Sequence, residues 1–231
     1  VEDPTAPELA AEDRHHLVRV LRLRPGEVVV ASDGRGRSVT CRFTGFGSLL
    51  EPDGPPVLVP RASPAVTVAF APGKGERPEW TVQKLTELGV DRIVPVATER
   101  SVVRWRDQRA RTAADRLRRV AREAAAQSRR AWLPEVAEPT TLAELVAAEP
   151  TLALADPGGD PPSLGHPAIA VGPEGGWSQA EQALGLPTVA VADATLRCET
   201  AAVAVATVLG ALRAGLVAAV AAQRPTPGAV S

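Results

Sequence analysis

Ala168-Ile169-Ala170-Val171-Gly172-Pro173-Glu174-Gly175-Gly176-Trp177-Ser178-Gln179-Ala180-Glu181 is the stretch on which the reading of this chain turns. Its first four residues are a short apolar run of strand type. Two Gly, a Pro and a Glu follow at once. Pro173 fixes its own φ, and the glycines permit backbone that other residues avoid. Such a loop can present bare amides and carbonyls to a ligand at close range. Ser178 and Glu181 then have the spacing of a capping box, which marks a helix start. Strand, tight glycine loop and capped helix are the parts of a small-molecule site at the carboxyl end of a parallel strand. The same parts also make an ordinary strand–turn–helix connection, so the motif alone leaves both readings open.

Working outward, a second loop of this kind follows. Thr188 to Ala192 is another apolar run, and Leu196-Arg197-Cys198-Glu199-Thr200-Ala201 opens an Ala-rich helix. The two strands are expected to lie side by side. Upstream, strands and helices alternate: strand 66–70, helix 78–88 closed by Gly89, strand 92–97, a long Arg/Ala-rich helix 107–132, helix 141–148, strand 151–155 and a loop 156–160. Downstream, helix 178–184, strand 188–192 and a helix 200–222 complete the series. Such alternation implies an α/β domain with a mainly parallel sheet. Residues 14–60 read differently, with strands 28–31 and 38–44 flanking an Asp33-Gly34-Arg35-Gly36 turn. Pro and Gly crowd residues 45–64 and mark a domain boundary.

Composition narrows the class. The 231 residues are 45% apolar but only 3% aromatic, so the core must be Val, Leu and Ala. Cys41 and Cys198 fall in no metal-type spacing, nor do the three histidines, and a reduced, cytoplasmic protein is the plain expectation. The 200–222 segment carries Arg213 and is mostly Ala. It reads as a buried or dimer-facing helix, not a membrane span, which needs ~20 strongly apolar residues. Neither a dinucleotide-binding Gly-rich fingerprint nor a P-loop is present. Net charge is −1, yet residues 14–42 hold seven Arg against two acids, and residues 100–130 eleven Arg against three. Arg binds phosphate bidentately and stacks on bases, so these blocks suit a nucleic-acid face. They suit a solvated helix surface as well.

Ordered motifs along the chain resemble one family. Gly-Pro-Glu-Gly-Gly at 172–176 followed by Leu-Arg-x-Glu-Thr-Ala at 196–201 is similar to the uridine-N3 methyltransferases of 16S ribosomal RNA, the RsmE family. His16 to Glu27, Gln83 to Val90, Glu99-Arg100-Ser101 and Glu123 to Arg130 match further signatures of that family in order, so the resemblance runs from about Arg14 to Leu212. The chain departs from it at Val191 to Thr195, where the family has Leu-Gly-x-Arg-Ile. It also begins at Val1 without the Met and short opening strand that the resemblance leads one to expect.

The resemblance implies a trefoil-knotted SPOUT methyltransferase domain over residues 63–223, preceded by a small PUA-like β-barrel RNA-binding domain over 1–62 and followed by a flexible tail, 224–231. It implies S-adenosylmethionine as cofactor, no metal, a homodimer, no membrane partner, and 16S rRNA or the small ribosomal subunit as substrate, methylated at N3 of a uridine (position 1498 in common rRNA numbering). Three loops should hold the cofactor: Leu154 and Ala155; Gly172, Pro173, Glu174, Gly175 and Gly176; and Leu196, Cys198, Thr200 and Ala201. Gly175→Val is expected to abolish that binding. Arg197 is the candidate to stabilise charge developing on uracil. Glu199 is a candidate base or a helix cap, and Arg22 is a candidate to reach the target base or phosphate. Arg14, His16, Arg19, Arg22, Arg24, Arg100, Arg129 and Arg130 are the expected RNA contacts. Alternatives are a related enzyme acting on a 2′-hydroxyl or on tRNA, and a non-catalytic RNA-binding assembly factor.

Overall fold

The computed structural model describes residues 1–219, and within them the side chains of His16 and Val20 are not described. The expected tail, 224–231, lies outside the described residues. The chain divides into two compact units. The first comprises Val1–Arg61 together with Ala125–Leu133. The second comprises Ala62–Ala124 and the described residues from Pro134 on.

The second unit is a parallel α/β sheet, as the alternation requires. Its strands are β5 (Thr67–Phe70), β6 (Arg92–Ala97), β7 (Glu135–Val136), β8 (Thr140–Thr141), β9 (Leu152–Asp160), β10 (Ala168–Val171) and β11 (Thr188–Val189). The order across the sheet is β11-β9-β10-β5-β6-β7, with β8 also on β6, and every pairing is parallel. Strands covered on both faces read as continuous apolar runs, which is why β10 is legible as four consecutive apolar residues. Ile169 and Val171 point to the larger core, with Val82 and Leu85 of helix α2 (Arg77–Glu87), Leu117 of α3 (Asp107–Gln127), and Val205 and Leu209 of α6 (Cys198–Arg213). Ala168 and Ala170 point to the opposite core, with Leu142 and Leu145 of α4 (Leu142–Ala148) and the ring of Trp177.

Several sequence expectations are corrected. Strands β10 and β11 are not neighbours, because β9 lies between them. Residues 156–160, expected as a loop, continue β9, and the register shift between Thr188 and Val189 absorbs the irregularity. Helix α3 stops at Gln127 instead of Trp132. Arg129 takes left-handed backbone (φ 55), and Trp132 leaves the helix to donate its indole N–H to Val59 O at 2.9 Å, with the Arg61 guanidinium over its ring. Helix α6 runs from Cys198 to Arg213; residues 220–222 of the expected span lie outside the described residues. The charge at its carboxyl end has a purpose. Arg213 ends the helix, pairs with buried Asp91, and donates to Gly89 O at 2.7 Å and Pro64 O at 3.3 Å. Removing one partner of a buried pair of this kind costs about 3–5 kcal/mol. No helix among the described residues is long and apolar enough to cross a membrane.

The first unit is built on strand β2 (Arg37–Phe43). It pairs antiparallel with β1 (Val28–Ser32), with β3 (Leu50–Pro52) at one end and with β4 (Val57–Leu58) at the other. Val39, Cys41 and Phe43 alternate inward and pack with Ala31 and Leu50. Strands β3 and β4 fall within the Pro/Gly-rich segment read as a boundary. Ahead of the sheet come a short helix α1 (Ala11–His15) and one π-helical turn, His16–Val20.

Candidate active site

The site residues of the α/β unit gather at the carboxyl ends of β10 and β5 and beside Leu154 and Ala155 within β9. Strand β10 delivers Gly172 there, and the loop that follows is held on every side. The buried Trp177 folds back and donates its indole N–H to Ala155 O at 3.0 Å. A Cβ added at Gly172 would lie 3.1–3.3 Å from that ring, a crowded contact that the ring would have to yield to by a few tenths of an ångström. Gly176 adopts φ +68, left-handed backbone that closes the turn through its N–H to Pro173 O at 2.8 Å. The Ser178/Glu181 capping box is formed in both directions, as its spacing predicts. Glu181 does more than cap, because its buried carboxylate also accepts the backbone N–H of Glu99 at 2.8 Å. Arg100, expected to contact RNA, donates to Gly175 O at 2.7 Å. Arg104 donates to Glu99 O, so the Glu99-Arg100-Ser101 segment braces the glycine loop.

Helix α6 brings the other loop to the same place. Although β11 is two strands away from β10, the chain returns so that the buried thiol of Cys198 lies 3.2 Å from Ala71 O at the end of β5 and 3.9 Å from Val171 O at the end of β10. Burial pushes the thiol up to about 12; the Ala71 hydrogen bond opposes this, and the carboxylates of Glu174 and Glu199 add to it. Cys198 is therefore an inert pin between loops, not a nucleophile. Leu154 is likewise buried in the core, and its backbone N–H is donated to Pro187 O at 2.8 Å. Only backbone at these two positions is left to serve a cofactor.

The charged groups sort into two kinds. Glu199 does not cap α6, whose N-cap is Arg197 with no side-chain cap bond. Instead Arg77 joins the loops, 3.2 Å from Glu174 and 3.8 Å from Glu199. Arg77 escaped the sequence reading because it looks like any arginine at the start of a helix; a basic residue facing two acids from separate motifs is visible only in three dimensions. Arg197 is exposed and makes no side-chain bond among the described residues, and Leu196 beside it is half-buried. Thr200 is exposed and Ala201 packs on the core.

The remaining candidates belong to the first unit. Arg14 donates to Gly47 O at 2.6 Å, and Arg130 to Trp132 O at 3.4 Å. Arg19, Arg22, Arg24 and Arg129 are exposed. Arg22, which follows the π-helical turn, holds left-handed backbone (φ 54). The sequence separated Arg129 and Arg130 from the N-terminal basic block by almost a hundred residues, and the structure places both in one compact unit.

Comparison with known proteins identifies the family. Residues 61–210 match the model of an RNA methyltransferase domain, and residues 9–49 that of an RNA methyltransferase PUA domain. Ribosomal RNA small subunit methyltransferase E of Synechocystis sp. is 34% identical over 215 residues, covering 84% of this chain and 69% of that protein. Its Mycobacterium bovis counterpart is 38% identical over 127 residues, 54% of this chain and 48% of that one. Among solved structures, the Neisseria gonorrhoeae ribosomal RNA small subunit methyltransferase E bound to S-adenosylmethionine superposes with a TM-score of 0.75 at 27% identity, covering 92% of this chain and 96% of that one. The fold is that of the SPOUT methyltransferases with a PUA-like N-terminal domain. The chain belongs to the ribosomal RNA small subunit methyltransferase E family of RNA methyltransferases.

Proposed function

We propose that this protein transfers a methyl group from S-adenosylmethionine to N3 of a uridine in 16S rRNA, position 1498 in common numbering. The observation that carries the reading is Arg197: an exposed guanidinium with no partner among the described residues, at the N-cap of a helix pinned to the ends of two central strands. The surrounding groups fit the cofactor. Gly175 and Gly176 are exposed, a Cβ at Gly176 would meet nothing within 4 Å, and Leu196 supplies a half-buried apolar face for adenine. S-adenosylmethionine supplies an electrophilic methyl group on a sulfonium sulfur.

The chain's own residues do the rest. Backbone groups of 172–176 and 196–201 hold the cofactor. As N3 of uracil loses its proton, negative charge spreads over the ring, and the unpaired guanidinium of Arg197 stabilises it by charge and hydrogen bonding. Glu199 is the candidate to take the proton, with Arg77 orienting its carboxylate. The first unit, with Arg19, Arg22 and Arg24, grips RNA phosphates, and its boundary with the methyltransferase domain falls near residue 62. The left-handed backbone of Arg22 is the kind of strain that folds retain at functional positions. The protein works in the cytoplasm as a homodimer with the knotted connectivity of its family.

The test is methylation of small-subunit rRNA from a strain lacking this protein, read by mass mapping of the modified nucleoside. A methyl group at N3 of one uridine is expected. Methylation of a 2′-hydroxyl or of tRNA, or binding without transfer, overturns the reading. Sedimentation as a 24.1 kDa monomer at micromolar concentration overturns the dimer.

A further inference from the structure

Beside the glycine loop lies a cleft of about 300 Å³, within the α/β unit, that none of the cofactor-facing loops lines. Its floor is Pro72, just past β5, and the carboxyl end of β6. One wall is the segment Thr98–Arg106, and the other is the start of α4. Its volume is at the lower end of the range for small-molecule sites. We infer that this cleft receives an unstacked base of the RNA substrate, a neighbour of the methylated one, with Trp105 as its stacking platform. The inference rests on the methyltransferase reading above.

Four observations carry it. Trp105 is half-buried: it packs on the main core and also lines the cleft. A ring fixed in this way loses little freedom when a base stacks on it. Arg104 and Arg106 flank it. Arg104 is spent on Glu99 O, whereas Arg106 is exposed, with no side-chain partner among the described residues, and is free for a phosphate. Across the cleft, Glu144 is held ionised. Bonds from the Thr141 backbone N–H and the Thr140 and Thr141 hydroxyls bring its carboxyl down to about 2. All of those bonds fall on Oε2, so Oε1 remains an acceptor for a base N–H or amino group. A carboxylate there disfavours phosphate in the cleft and favours a base edge, which is how single-stranded RNA is read by stacking and hydrogen bonding. Finally, the cleft wall is tied to the glycine loop through Arg100 to Gly175 O and Glu181 to Glu99 N–H, so a base seated in the cleft is held in register with that loop.

The experiment measures equilibrium binding of the full-length protein to a small-subunit rRNA fragment containing the target uridine. Abasic sites are placed one at a time at the flanking nucleotides. One position is expected to weaken wild-type binding about tenfold. Trp105→Ala should weaken binding to the intact RNA about tenfold and become indifferent to that abasic site. Trp105→Phe should stay within about threefold of wild type, and Glu144→Gln should lose several-fold. Affinity for S-adenosylmethionine should not change in any of them. Wild-type binding that is indifferent to every abasic position overturns the cleft assignment even if Trp105→Ala fails to fold. So does a folded Trp105→Ala that binds the intact RNA normally or keeps the abasic penalty undiminished. Failure of the wild-type protein to bind the RNA, or to methylate it, overturns the methyltransferase reading instead.

Discussion

The loop Gly172–Gly176 and the loop Val191–Arg197 meet at one end of the sheet but are built in opposite ways. In the first, nearly every group is already engaged. Trp177 covers Gly172, Pro173 is buried, Arg77 pairs with Glu174, and Arg100 holds Gly175 O. In the second, Asp193, Ala194, Thr195 and Arg197 are exposed, and none of their side chains has a hydrogen bond among the described residues. Its anchor is Cys198, one residue past its end. The first loop is preorganised. Ordering it costs nothing when a ligand arrives, so its contacts convert into affinity. The second keeps its charged group unspent, which is what the role proposed for Arg197 requires. Substitutions in the first loop should therefore change cofactor affinity, and those in the second should change rate.

The largest effect tests the open loop. Arg197→Ala should lower single-turnover methylation about 10²–10³-fold at saturating cofactor and RNA, while calorimetry finds S-adenosylmethionine affinity nearly unchanged. Arg197→Lys should rescue only part, since an ammonium lacks the planar fork. A rate within a few-fold of wild type in a stable protein would remove Arg197 from catalysis and erase the contrast.

Gly172→Ala is next and tests the closed loop. The new Cβ would press on the Trp177 ring at 3.1–3.3 Å, and the ring's bond to Ala155 O at 3.0 Å resists its yielding. Overpacking of this kind costs about 1–3 kcal/mol, and to the extent that the bound loop carries that strain, cofactor affinity falls by about five- to 150-fold. Unchanged affinity would mean that Trp177 adapts and the loop is not rigid.

Much of this was legible in the sequence, for identifiable reasons. A buried parallel strand is a continuous apolar run, so Ala168–Val171 was found with its observed bounds. The Ser178/Glu181 box is a local pattern and formed as read. What failed was non-local. Nothing in residues 188–201 says that β9 intervenes between β10 and β11, or that α6 returns over β10. The end of α3 was misplaced because Ala124–Arg130 retains good helix formers, while Trp132 is drawn out by partners some seventy residues away, at Val59 and Arg61. Arg77 and Trp105 carry no local signal, since their roles depend on loops that meet only after folding.

Arg77→Ala should have a smaller effect. Arg77 and Glu174 are both about half exposed, and surface ion pairs contribute about 0–1 kcal/mol. Cofactor affinity should fall no more than about fivefold. The methylation rate should fall further than the affinity does, because Glu199 loses its only ion-pair partner among the described residues. Equal losses in both would show that Arg77 serves the first loop alone.

The smallest expected effect is that of Gly175→Ala, a milder change than the Gly175→Val that the sequence expects to abolish cofactor binding. The sequence reading made Gly175 the point of close backbone approach. In the structure its φ is outside the left-handed region, and an added Cβ would lie 3.5 Å from Arg100 Cβ, an ordinary contact. The protein itself therefore does not require Gly at this position; the crowding falls on Gly172 and the unusual backbone on Gly176. Gly175→Ala should leave cofactor affinity within about twofold. It should also raise stability slightly, by about 0.4–1 kcal/mol, because Ala narrows the unfolded ensemble at a compatible φ. Calorimetry and a thermal melt on the same sample decide the matter. Higher Tm with intact affinity places the demand for glycine inside the protein, at Gly172. Higher Tm with affinity lost tenfold would mean that the ligand itself lies against Gly175, that the closed loop is shaped for the cofactor at that residue as well, and that the sequence reading of Gly175 was sound.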